Sequence, residues 1–185
     1  MKTTFSYILF GNLLLVSIVC LVGCNQRSTP PSDAFWQAIK EGTIQDVRYY
    51  IEKEKVDVNA KDQDGMTPLH LAVVFNSDVE VMKYLIEKGA DVNAKSNTGW
   101  TPFHIAAPMA IFSDDMVRKA IVLLENGADV NARNSEGKTP LDLIMALGTV
   151  VIKAGLPIIR KAAELGNPEA DEMLQQLEKH HSSHK

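Results

Sequence analysis

The sequence predicts an all-α repeat solenoid of about four helix-turn-helix units, with β-hairpin-like loops between them and a helical cap at the C-terminal end. Three observations predict it. First, the phrase Asp57-Val58-Asn59-Ala60 returns as Asp91-Val92-Asn93-Ala94 and Asp129-Val130-Asn131-Ala132, at intervals of 34 and 38 residues. Recurrence at this period marks stacked units, each unable to bury its apolar face without a neighbour. Second, each phrase is followed by Gly and Thr-Pro: Thr67-Pro68, Thr101-Pro102 and Thr139-Pro140. A threonine hydroxyl caps a helix, and proline fits its first position, where a missing N–H costs nothing. Third, Val81, Met82, Leu85 and Ile86 fall on one helical face, with Glu80, Lys83, Glu87 and Lys88 on the other. Gly89 then permits the left-handed turn that ends this helix.

The chain of 185 residues is 45% hydrophobic and 23% charged, with a formal net charge of −4. This fits one soluble domain and excludes the basic surface that nucleic acid requires. Its N-terminal residues differ from the rest. Lys2 precedes an apolar stretch from about Tyr7 to Val22 that reads as an export signal and is too short and too weakly flanked for a membrane span. An ordinary signal peptide or an uncleaved anchor fits the same composition.

The sequence Leu21-Val22-Gly23-Cys24 resembles the lipobox of bacterial lipoproteins. That resemblance implies removal of residues 1–23 and acylation of Cys24, which places the protein in the cell envelope, at the periplasmic face of the outer membrane. Loss of Lys2 would take the net charge from −4 to −5. Residues 24–32 become a tether stiffened by Pro30 and Pro31. With Cys20 removed and Cys24 acylated, no disulfide is possible, and packing alone holds the domain.

Residues 33–61 read as an N-terminal capping unit. Gly42 breaks it, and Thr43 caps a second helix bearing Ile44, Val47, Tyr50 and Ile51. Its closing turn reads Glu54-Lys55-Val56 where later units have Gly-Ala. Full units follow at 62–95, 96–133 and 134–156. A helical cap is expected at 157–179, because Gly155-Leu156-Pro157 interrupts the helix that starts at Thr149. Residues 180–185 are expected to be a disordered tail.

The strings Thr67-Pro68-Leu69-His70-Leu71-Ala72 and Thr101-Pro102-Phe103-His104-Ile105-Ala106, each closed by Gly-Ala-Asp-Val-Asn-Ala, resemble the ankyrin-repeat family. Thr139-Pro140-Leu141-Asp142-Leu143-Ile144 begins a third copy. The segment 161–170 also resembles the short helical repeats called Sel1-like; both likenesses imply a helix, a glycine turn and a second helix. The ankyrin resemblance implies that His70 and His104 order the stacking by hydrogen bonds to loop backbone. It further implies binding through hairpin tips and the exposed side of each first helix. On this sequence the tips are Gln63, Asp64 and Met66, then Asn97, Thr98 and Trp100, then Ser135, Glu136 and Lys138, and the helix positions are Val74 and Phe75, then Pro108 and Met109, then Ala146 and Leu147. Trp100 is also placed to pack between units.

Thr67 to Gly89 is 22 residues and Thr101 to Gly127 is 26, so the second unit has four more. They are assigned to the turn around Ala107 to Ser113, where Pro108 bends or ends the helix and Met109, Ile111 and Phe112 need burial or a partner. The motif inventory holds no phosphate loop, nucleophile elbow or zinc helix. His70 and His104 are one unit apart, on the order of 10 Å, too far to share a metal ion. His180, His181 and His184 lie in the tail, which offers no fixed geometry.

The sequence therefore predicts no catalytic or metal site, no cofactor and no small-molecule substrate. It predicts a lipid-anchored domain that binds another protein as an adaptor or inhibitor, a narrower form being an immunity protein against a periplasm-acting toxin. An envelope enzyme and a purely structural lipoprotein are the alternatives. For the anchor, Cys24→Ser is expected to abolish metabolic labelling with a radiolabelled fatty acid. Label retained on any other residue would overturn the lipobox assignment.

Overall fold

A computed structural model describes residues 31–110, 112–147 and 149–182, without the side chains of 149–154 and 176–182. The expected acylation site Cys24 and the signal therefore lie outside the described residues, as does Ile111. The described residues form helices and no strands, stacked in pairs as a solenoid. In chain order these are α1 (Asp33–Glu41), α2 (Ile44–Arg48), α3 (Pro68–Phe75), α4 (Val79–Glu87), α5 (Pro102–Met109), α6 (Asp114–Glu125), α7 (Pro140–Ala146), α8 (Thr149–Glu164) and α9 (Pro168–Ser182). Among the described residues no helix is long and apolar enough to cross a membrane.

Each pair has a short inner helix (α1, α3, α5, α7) and an outer one (α2, α4, α6, α8). Inner helices pack on inner helices, α3 on α5 and α5 on α7, while α4 packs on α6 and α6 on α8. One apolar core runs through the stack from Phe35 and Ile39 through Leu69, Leu85, Phe103 and Leu123 to Ile144 and Ile158, all fully buried. No unit encloses a core of its own, which is why the pairs hold only as a stack.

The capping unit starts on Ser32, whose hydroxyl accepts from the Phe35 amide at 3.2 Å. Thr43 and Asp46 form a reciprocal capping box for α2. That helix continues as a π-helical turn over Tyr49–Lys53. Lys55 then takes the left-handed conformation (φ +57°), where the later units use Gly89 (+91°) and Gly127 (+84°). The closing turn therefore keeps its geometry without glycine, at a cost of about 1–2 kcal/mol.

The C-terminal half departs from the expectation. Gly155-Leu156-Pro157 does not interrupt the chain: α8 runs unbroken from Thr149 to Glu164, with Pro157 inside it. Packing overrides propensity here. Ile158, Ile159 and Ala162 are fully buried, and Gly155 lies so close to α7 that a Cβ there would stand 3.1 Å from Ile144 Cγ2. The outer helix of the third unit is therefore α8, and the cap is the single helix α9. That helix continues through His180 to Ser182, where a structureless tail is expected; the imidazoles of His180, His181 and His184 are outside the described side chains.

The four extra residues of the second unit are also distributed differently. One lies in the inner-to-outer turn, since Thr67 to Asp78 is 11 residues and Thr101 to Ser113 is 12. The other three lengthen the outer helix, which has 9 residues in α4 and 12 in α6. Pro108 does not end α5, which closes one residue later at Met109 with Ala110 N–H donating to Ala106 O.

Three hairpin loops precede α3, α5 and α7, closed by Asp62 N–H to Met66 O, Ser96 N–H to Trp100 O and Asn134 N–H to Lys138 O. Their glycines share one conformation: Gly65 at φ +73°, Gly99 at +75°, Gly137 at +74°. Their surroundings differ. A Cβ on Gly65 would stand 2.8 Å from Asn97 N, and one on Gly99 2.9 Å from Ser135 N, whereas Gly137 faces nothing within 4 Å. Gly137→Ala is expected to cost only the left-handed strain, about 1–2 kcal/mol. Gly65→Ala and Gly99→Ala should each cost at least about 1 kcal/mol more, because backbone of the next hairpin must move. Urea unfolding of the three variants checks this; equal costs would deny that the hairpins stack.

Candidate interaction surface

The repeated phrase builds one edge of the stack. In each copy the aspartate accepts from the amide two residues on: Asp57 from Asn59, Asp91 from Asn93 and Asp129 from Asn131, at 2.8–2.9 Å. The asparagine then reaches the next unit. Asn59 Nδ2 donates to Gly89 O at 3.0 Å and its Oδ1 accepts from the Asp91 amide at 2.8 Å. Asn93 repeats both bonds with Gly127 O (2.9 Å) and Asp129 N (2.7 Å). The ladder ends where Asn167 Nδ2 donates to Asn131 Oδ1 at 3.0 Å.

The threonine and histidine of each signature do the same for the hairpins. His70 Nδ1 accepts from the Thr67 amide at 3.1 Å, and its Nε2 stands 3.0 Å from Trp100 O in the next hairpin. His104 Nδ1 accepts from the Thr101 amide at 3.2 Å, with Nε2 3.1 Å from Lys138 O. An amide can only donate and a carbonyl only accept, so each ring is the neutral tautomer carrying its proton on Nε2. Thr139 pairs instead with Asp142, its amide donating to Oδ2 at 2.9 Å. Pro68, Pro102 and Pro140 open α3, α5 and α7. The threonines, histidines and prolines are buried scaffold, while Asp142 is exposed.

The expected contact residues divide between two edges. Met66 and Trp100 sit on the hairpin side. Both are half-buried: Met66 packs against the core, and the Trp100 ring lies 5.9 Å from that of His104. Phe75, Met109 and Leu147 sit at the opposite ends of the inner helices, an eight-residue helix or about 12 Å away. Counted from their threonine caps, these three occupy the same position. All three are exposed, at 56%, 37% and 42%. Val74 and Pro108 beside them are half-buried, and Ala146 is exposed.

In the capping unit the equivalent position, counted from Ser32, is Lys40, whose Nζ stands 5.5 Å from the centre of the Phe75 ring. Phe112, in the turn after Met109, is 79% exposed. The row thus runs Lys40, Phe75, Met109, Leu147 along one edge, with Phe112 standing out from it. Periodicity carries this pattern in plain view; Lys40 was hidden because the capping unit lacks the Thr-Pro that sets the count.

Two further residues hold the backbone beneath the row, and sequence reasoning missed both. Asn76, 3% exposed, donates to Ile39 O (2.9 Å) and Gly42 O (3.1 Å) and accepts from the Asp78 amide at 2.8 Å. Lys119, 2% exposed, reaches from α6 into the preceding unit. Its ammonium donates to Asn76 O (2.6 Å) and Val73 O (3.2 Å) and pairs with Asp115 at 2.9 Å. A cation among the last carbonyls of α3 also complements that helix's negative end. The signal was present in the sequence: Lys119 interrupts the stripe of Met116, Ala120 and Leu123. An open cleft of about 670 Å³ runs along α1 from Asp33 and Trp36 to Lys40 and is closed on one side by Lys61 to Asp64 of the first hairpin. Among the described residues no three His, Cys, Asp or Glu side chains are grouped to hold a metal ion.

Burial is the main cause holding both histidines below the ordinary imidazole value of 6.5; Lys61 beside His70 and Lys95 beside His104 act in the same direction. Since folding lowers these values, the unfolded chain takes up protons first as pH falls below about 6.5. Stability present at pH 7 is then lost towards the folded-state values. The loss between pH 7 and pH 5 is at most about 2 kcal/mol per histidine. Urea midpoints should therefore fall from pH 7 to pH 5 and fall less in His70→Gln/His104→Gln; an unchanged slope in that variant would contradict the assignment.

Comparison with known proteins agrees with this geometry. No curated protein matches the chain significantly. The family model for Ankyrin repeats (3 copies) matches over residues 10–96 and 35–134, more than half of the sequence. With the hairpins, paired helices and interunit asparagine ladder of the structure, the chain belongs to the ankyrin-repeat family.

Proposed function

We propose that this protein is anchored to the membrane through acylated Cys24 and binds another protein in the bacterial cell envelope, as an adaptor or inhibitor. Ankyrin repeats generally bind other proteins. The observation that supports a specific surface is the row at the inner-helix ends. Three equivalent positions hold large apolar side chains, Phe75, Met109 and Leu147, and leave them exposed in every full unit. Contiguous exposed apolar area marks an interaction site. A structural role within the stack does not require it, since the core residues on the inner side of the same helices are already buried.

The anchor reading rests on the sequence at Leu21 to Cys24. Acyl chains contribute about 0.8 kcal/mol for each buried methylene, so two or three hold a domain at the bilayer. The protein would then meet its partner at the periplasmic face of the outer membrane. An immunity protein that neutralises a toxin there is the narrower form of the same reading. The scaffold histidines and loop aspartates are engaged in stacking, so the reading is of a binding protein and not a catalyst.

The test is recovery of tagged full-length protein from envelope extract, beside a Phe75→Ser/Met109→Ser/Leu147→Ser variant shown by thermal melting to remain folded. The wild type should retain one partner at near-stoichiometric yield, and the variant should lose at least nine-tenths of it. Reproducible recovery of no partner, or equal recovery by both, would count against the proposal.

A further inference from the structure

The edge that carries the apolar row also carries a sign. It is where inner helices end and outer helices begin, and acidic residues gather at those beginnings: Asp46 on α2, Glu80 on α4, Asp114 and Asp115 on α6. Asp78, the cap of α4, and Glu41, the last residue of α1, add to them. Glu80 is matched by Lys83 at 2.6 Å and Asp115 by Lys119 at 2.9 Å. That leaves Glu41, Asp46, Asp78 and Asp114 against Lys40 and the exposed Arg118, one turn after Asp114 on α6. The helix N-termini supply only about half a positive charge each, so the edge remains negative.

The row has a period as well. Inner helices pack about 8–10 Å apart, so Phe75, Met109 and Leu147 repeat at that interval. In an α-helix, residues seven apart lie on one face and are separated by about 10.5 Å. A β-strand covers the same distance in three residues, which places successive contacts on opposite faces.

Resting on the binding reading above, we propose that the partner presents a basic amphipathic helix. Its apolar residues, at heptad spacing, lie on Phe75, Met109 and Leu147, and its lysines or arginines face Asp78 and Asp114. Phe112, 79% exposed beside the row, is a further apolar anchor for that helix. The charge excludes two other occupants: an anionic lipid surface and a second copy of the same edge are both repelled by these carboxylates.

The probe is a fluorescently labelled 18-residue peptide with leucines at helical spacing i, i+3, i+4, i+7 and lysines elsewhere, titrated into the full-length protein by anisotropy. Two analogues accompany it, one with glutamate for every lysine and one with a central leucine replaced by proline. The basic peptide should bind at least tenfold more tightly than either. Phe112→Ser and Asp114→Lys should each weaken it at least fivefold, while Leu165→Ser, exposed elsewhere, should not. Equal binding of the acidic or proline analogue, or indifference to Phe112→Ser, overturns the proposal. So does phosphatidylglycerol vesicle binding, or self-association in sedimentation, that disappears with Phe112→Ser. Should an envelope partner be captured through the apolar row while the peptide fails, the binding reading stands and the basic helix falls; capture of no partner removes both.

Discussion

The carbonyl of Trp100 closes its own hairpin by accepting from the Ser96 amide and accepts a second bond from His70 of the unit before it, and this bonding between successive repeats is what the rest of the molecule depends on. The first two hairpins each bond to the hairpin that follows. Asp64 O accepts from the Asn97 amide and Thr98 O from the Ser135 amide; Lys61 Nζ reaches Lys95 O, and Lys95 Nζ reaches Arg133 O. These groups lie in exposed hairpins, where water would satisfy them in a lone unit, so each bond between hairpins contributes a net of about 0.5–1.5 kcal/mol. The larger cost of a lone unit is its exposed apolar face, which only a neighbour buries. Glycine at positions 65 and 99 serves this arrangement twice, by accepting a positive φ and by letting the next backbone approach within contact.

The third unit adjusts because no fourth hairpin follows it. Asp142 replaces the histidine and caps its own helix instead of reaching forward. Arg133 stands in the series of Lys61 and Lys95 but turns back to Gly137 O at 2.8 Å. Gly137 keeps its conformation and loses its neighbour. Asn167 alone continues the series, bridging to Asn131 and capping α9 through the Ala170 amide at 2.8 Å. Asn134 stands where the first hairpin has Asp62, and its Oδ1 accepts the same two amides, from Glu136 and Lys138; among the described residues its buried Nδ2 has no hydrogen-bond partner.

Much of this was legible in the sequence because the repeat is written in residues with one physical job each. Thr-Pro marked each inner helix, and Asp-Val-Asn-Ala marked each interunit bridge. The third outer helix was not legible, since Gly155 and Pro157 are helix breakers by propensity and the burial of Ile158 and Ile159 that overrides them is a tertiary effect. Gly166, at φ +84°, is the counterpart of Gly89 and Gly127, but Asn167-Pro168 follows it instead of Ala-Asp-Val, so the phrase that would flag it is missing. The exposed row was foreseen as positions; its separation from Met66 and Trp100 was not, because a helix length between two edges is invisible in a linear count. Lys119 drew no expectation from the sequence, although its place on an apolar stripe called for a buried partner.

That the stack holds as one cooperative body through bonds between units is the central claim, and native-state hydrogen exchange tests it most directly. The amides of Asn97 and Ser135 lie in exposed hairpins yet donate across units to Asp64 O and Thr98 O. Their protection should equal that of Leu85 and Leu123 in the buried outer helices, because opening them requires separating units and thus global unfolding. Exchange at Asn97 and Ser135 by local opening, with a free energy well below that of the core amides, would contradict the account.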